Sequence, residues 1–202
     1  MILRPIPSAA GKAALVLLAI LTAAACNPVE NSSTSATMLV IENLTALDLT
    51  GLATNLCKSD VLFTDSSTGA TSILADIGTA TLSSQPLDPD PILGNSVYLD
   101  IQLVKISIVY TRSDGHNIEG VDVPYSFEAG ISGTVRVGTL YTLTFTLVRE
   151  AAKQEAPLVT LRGTGETIDV TAEITIYGKD LSGHSLKATG NVPITFGDFA
   201  NE

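Results

Sequence analysis

The sequence predicts an all-β fold, an antiparallel β-sandwich of about 7–10 strands. Three observations carry that expectation. Thr, Val, Ile and Gly are plentiful while Lys and Glu are scarce, a bias that favours pleated strands over helices. After residue 38, apolar and polar residues alternate with a period of two through most of the chain, as half-buried strands require. Gly, Asp, Ser and Pro separate these runs at roughly 8–12-residue intervals, the rhythm of short strands joined by tight turns.

The chain divides into a leader (1–25), a tether (26–37) and one domain (38–202). At 202 residues, 45% apolar and 16% charged, it can bury a single core and is no disordered polyelectrolyte. The leader, "MILRPIPSAAGKAALVLLAILTAAA", has the three parts of a secretory signal. Arg4 and Lys12 make a positive start, residues 13–25 form an uncharged apolar run, and Ala23 to Ala25 fit a peptidase groove. That run is too short to span a bilayer, which takes about 20 residues.

The next residue is Cys26, and "TAAAC" resembles the bacterial lipobox. The resemblance implies that the Cys26 thiol carries a diacylglycerol and that cleavage makes Cys26 the first residue of a lipoprotein. Ala23 stands where that family usually has Leu. The alternative is a cut at the same bond by the general signal peptidase, leaving an ordinary thiol. After it, "NPVENSSTSAT" (27–37) has no apolar periodicity and suits a flexible tether reaching about 30 Å from the membrane. Asn27 is not the Asp that the family uses for inner-membrane retention, which implies the outer membrane where the source has one.

Within the domain, "MLVIENL" (38–44) and "DVLFTD" (60–65) read as short strands. In "IGTATLSS" (77–84), Ile77 is out of phase with Ala80 and Leu82. "QPLDPDPILGNS" (85–96), with three prolines, is a rigid loop. In "VYLDIQLVKISIVYTR" (97–112), Val97, Leu99, Ile101 and Leu103 share one face, while Val104, Ile106, Ile108 and Tyr110 continue on the other parity. One extra residue near Leu103 and Val104 would restore a common face, so a β-bulge or a crossing between sheets is expected there. "SDGHN" (113–117) signals a hairpin whose returning strand places Val121, Val123, Tyr125 and Phe127 inward, with Pro124 marking an edge. "TVRV" (134–137) precedes "LYTLTFTLV" (140–148), where Tyr141, Leu143, Phe145 and Leu147 face the core and Thr142, Thr144 and Thr146 face water. "REAAKQEAP" (149–157) is a connector of at most two helical turns. "ETIDVTAEITIYG" (166–178) points Ile168, Val170, Ala172, Ile174 and Ile176 inward and begins a C-terminal hairpin through "KDLSGHS". The closing stretch "VTAEITIYGKDLSGHSLKATGNVPITF" is similar to the final hairpin of bacterial Ig-like and fibronectin-type domains, which implies an Ig-like sandwich and no particular activity.

Charge and composition exclude some functions. The net charge is −10, and removal of Arg4 and Lys12 with the leader leaves 9 Lys+Arg against 21 acids, a net −12. Without a basic cluster such a domain cannot displace counterions from phosphates, so no nucleic-acid partner is expected. There is no Trp to offer a sugar-stacking surface. The two histidines, His116 and His184, each follow a turn Gly and are expected in solvent rather than in a metal or catalytic pair. Cys57 has apolar neighbours and is expected to act as a small buried hydrophobe. Asp88 and Asp90 in "LDPDP", with Asp100, are weak candidates for calcium, but they lack EF-hand spacing. The reading is therefore a non-enzymatic, lipid-anchored envelope protein without cofactor or resident metal, acting on an envelope protein partner. A calcium-stabilised adhesive module for glycan or protein is the alternative.

Overall fold

Two β-sheets face each other across one apolar core in the computed structural model, which describes residues 34–47, 53–88, 94 and 96–199. The leader, Cys26 and Asp90 lie outside the described residues. In chain order the elements are β1 (Thr37–Leu47), β2 (Ala53–Thr54), β3 (Cys57–Asp60), β4 (Phe63–Thr64), β5 (Thr71–Ser72) and β6 (Asp76–Pro86). They continue with β7 (Ile101–Thr111), β8 (Phe127–Val135), β9 (Leu140–Val148), α1 (Glu150–Lys153), β10 (Thr167–Asp180) and β11 (Ser185–Gly197). One sheet has the order β2-β1-β6-β9 and the other β3-β11-β10-β7-β8, while β4 and β5 pair separately. Pairing within the sheets is antiparallel except for β3, which runs parallel to β11 along Cys57–Asp60. Among the described residues no helix is long and apolar enough to cross a membrane.

The alternation seen in the sequence sets the faces. In β10 Val170, Ala172, Ile174 and Ile176 are buried, and in β9 Leu143, Phe145 and Leu147 are, while Thr142 and Thr144 are exposed. Gly190 on β11 lies under Leu44 and Ile41 of β1, where an added Cβ would come 3.0 Å from Leu44 Cδ2; the missing side chain lets the sheets close. The parity change in β7 is a bulge. Register against β8 shifts between Leu103 and Lys105, and against β10 between Tyr177 and Gly178. Val104 is thrown outward, so Ile101 and Leu103 before it and Ile106, Ile108 and Tyr110 after it share the core face.

Three boundaries differ from the sequence expectation. Val97–Leu99 is a 3₁₀ turn capped by the Ser96 side chain, with Val97 exposed, so the strand starts only at Ile101. Of the strand expected over residues 121–127, only Phe127 is in a strand and 121–126 is a loop. Gly120 N–H donates to the Val123 carbonyl, and Val121, Asp122 and Val123 all donate to the Ile118 carbonyl, so these groups are unavailable to a ladder. Val123 is buried but Val121 and Tyr125 are exposed, and β8 starts at Phe127, beyond Pro124. The run expected over 60–65 is split: Asp60 ends β3, and Phe63–Thr64 pairs with Thr71–Ser72.

Candidate functional site

Chemistry-bearing groups converge where β3, β6 and α1 meet. Asp76 opens β6 and pairs with Val148, the last residue of β9. Arg149 then turns the chain into α1, whose last residue, Lys153, folds back over this strand end with Ala152, both buried. Parallel pairing of β3 with β11 delivers Ser59 and Asp60 opposite Phe196 and Gly197 to the same place.

The Lys153 ammonium is 1% exposed and lies 2.8 Å from Asp76 Oδ1. It also donates to the Asp60 backbone carbonyl at 2.9 Å. Ser59 Oγ donates to the other Asp76 oxygen at 2.5 Å. Asp60 Oδ1 accepts from the backbone N–H groups of Leu62 and Phe199, whereas Asp60 Oδ2 is buried with no hydrogen-bond partner. Burial pushes the Asp76 carboxyl up against the opposing pull of Lys153. Burial also raises Asp60, against the two backbone donors and with help from the Asp198 charge. Arg162 holds the Lys153 carbonyl at 2.8 Å, and Asp198 accepts from Gly163 N–H, so the loop after α1 closes over the cluster.

A buried ion pair has lost the hydration of both charges, and its Coulomb attraction does not reliably offset that cost. Its chemistry is that of an amine held against a carboxyl, with a hydroxyl donor on one carboxyl oxygen and a second acid alongside. With all four side chains nine-tenths or more buried, these groups address one another rather than a diffusing substrate.

The candidates read from the sequence lie elsewhere. His116 follows the turn after β7, exposed, with its Nδ1 3.4 Å from Asp114 Oδ2. His184 sits in the β10–β11 turn, with Nδ1 2.9 Å from Asp180 Oδ2. Register puts them at opposite ends of the sheet, since Thr111 pairs with Thr171 and Ile101 with Asp180, a strand length of about 30 Å apart. They form no common site. Asp100 Oδ1 accepts from Val137 N–H at 2.9 Å and the Asp100 carbonyl from Leu181 N–H, so this residue joins the start of β7 to two neighbouring turns. Asp88 follows β6, and Asp90 is outside the described residues. Among the described residues no three His, Cys, Asp or Glu side chains are grouped to hold a metal ion. Cys57 is buried in the core, as its neighbours predicted.

Sequence reasoning passed over Ser59, Asp60, Asp76 and Lys153. One signal was present: if Ile77 is out of phase with Ala80 and Leu82, then Asp76 is in phase with them and must face the core. Lys153 carried none, since "EAAKQEA" is an ordinary exposed-helix composition.

No family model matches the chain, and no curated protein matches it. Among solved structures it is similar to Spo0M, a sporulation control protein from Bacillus subtilis, at 12% identity and a TM-score of 0.28. The match covers 79% of this chain and 49% of that one, so the chain spans about half the length of Spo0M.

Proposed function

We propose that this is an exported lipoprotein, held through Cys26 in the cell envelope and, where the source has one, in the outer membrane. Its β-sandwich serves a non-catalytic binding or structural role toward another envelope protein. The observation that carries this reading is the leader, with its positive start, 13–25 apolar run and small residues ending at Cys26. A Ser-, Thr- and Asn-rich tether ahead of the sandwich supports it, as does the separation of the two histidines. Stable anchoring takes more than one acyl chain, which a triacylated N-terminal cysteine supplies.

The test is metabolic labelling with a fatty acid, followed by membrane fractionation of wild type and Cys26→Ala. Wild type should take up label and sediment with membranes, while the variant should do neither. An unlabelled wild type, or a variant that stays in the membrane fraction, overturns the anchor. Crosslinking in intact cells followed by mass spectrometry then identifies the protein that the domain touches.

A further inference from the structure

We propose that Lys153 and Asp76 join covalently, the Lys153 Nζ condensing with the Asp76 carboxyl carbon into an intramolecular amide cross-link. Four features of the cluster carry the inference. The amine and carboxyl are already in contact at 2.8 Å, so the encounter that limits amide formation in water has been made by folding. Ser59 Oγ donates to Asp76 Oδ2, the oxygen that takes up negative charge when nitrogen adds to the carbon. The Asp60 backbone carbonyl receives an N–H from Lys153, which fixes where the amine lone pair can point. Finally, Asp60, whose backbone carbonyl touches the amine, carries a buried carboxyl oxygen without a hydrogen-bond partner, and this second acid is the one we assign as proton carrier.

The reaction balances without any outside reagent. A proton passes from the Lys153 ammonium to the Asp76 carboxylate, giving the neutral amine that attacks and the neutral acid that receives it. The nitrogen lone pair forms the new C–N bond at Asp76 Cγ, and negative charge gathers on Oδ2 against the Ser59 hydroxyl. The Asp60 carboxyl accepts the surplus proton from nitrogen and returns it to Oδ1. The C–Oδ1 bond breaks and one water leaves. Nothing is oxidised or reduced. The product ties the start of β6 to α1, closes a 77-residue loop and replaces two buried charges with one amide. A cross-link of that span restricts the unfolded chain as a disulfide does.

The inference stands apart from the lipid anchor, because it concerns the domain alone and is read by a different measurement. The full chain is purified, digested and analysed by tandem mass spectrometry. A branched peptide joining the segments of Asp76 and Lys153, lighter than its two linear parts by one water, is the expected result. Recovery of both residues only in unmodified linear peptides from folded protein overturns the proposal. Asp76→Asn should give the same branched peptide with loss of ammonia in place of water, and Asp76→Ala should give none; a branched peptide in the alanine variant overturns it. Asp60→Asn, checked for folding by circular dichroism, should cross-link roughly 10²-fold more slowly or not at all. Cross-linking of that variant at the wild-type rate removes Asp60 from the proton path. If Asp60→Asn does not fold, the ammonia loss in Asp76→Asn decides the proposal alone.

Discussion

The Tyr110 hydroxyl on β7 donates to the Leu147 carbonyl on β9 at 2.7 Å, a hydrogen bond that crosses the core from one sheet to the other. Leu147 is skipped where the β6–β9 register shifts, Asp76 pairing with Val148 and Ile77 with Thr146, so its carbonyl lacks a regular ladder position. The tyrosine satisfies that acceptor, and burial holds its hydroxyl protonated by pushing its pKa upward. Tyr110→Phe keeps the ring and its edge contact with Phe196 but strands the carbonyl. The expected cost is about 1–3 kcal/mol, measured by urea denaturation.

Gly78 on β6 lies directly under the Phe145 ring, and an added Cβ would stand 2.6 Å from its Cζ. Phe145 is buried, so the ring cannot swing into solvent to make room. Gly78→Ala should therefore destabilise by about 1–3 kcal/mol through overpacking. Adding Phe145→Leu to Gly78→Ala should recover part of the loss in melting temperature, since the substitutions share one contact and will not add.

Deleting Val104 removes the bulged residue of β7. With a strict period of two, Ile101 and Leu103 would then turn outward or Ile106, Ile108 and Tyr110 would. Each apolar side chain so exposed forfeits about 1.5–3 kcal/mol, and several together approach the stability of a whole domain. The deletion should abolish cooperative unfolding, whereas Val104→Thr, which keeps the residue count at an exposed position, should unfold as wild type does.

Asp114 should titrate far below an ordinary aspartate. The Arg112 guanidinium, held on both carboxylate oxygens, and the His116 backbone N–H bring its pKa from 3.8 down to about 2. Because the folded value is the lower one, the stabilisation is present above 3.8 and is lost as pH falls through about 2. NMR titration of the Asp114 carboxyl carbon should show the low midpoint, and Arg112→Ala should return it toward 3.8. An unchanged midpoint in that variant would assign the shift to the turn backbone.

Much of the fold was legible because strand faces repeat locally. The β9 and β10 faces follow from a period of two, the bulge beside Leu103 from its interruption there, and the brief helix after Val148 from a short run of helix-forming residues ended by Pro157. The strand expected over 121–127 failed before Phe127 because Val121, Val123 and Tyr125 imitate that period while Gly120 and the Ile118 carbonyl divert the backbone donors. For the buried cluster, only the parity of Asp76 was visible.

The inward faces of β9 and β10 are written in contiguous residues, because a strand's side chains alternate within the strand itself. Tertiary structure alone decided that Lys153 leaves solvent and meets Asp76, 77 positions away, and the Asp60 carbonyl, 93 positions away. A lysine in a short helix has no local reason to be buried. It is buried because β9 ends beside the start of β6 and β3 lies against β11, which brings the Asp76 carboxylate and the Asp60 carbonyl to its ammonium.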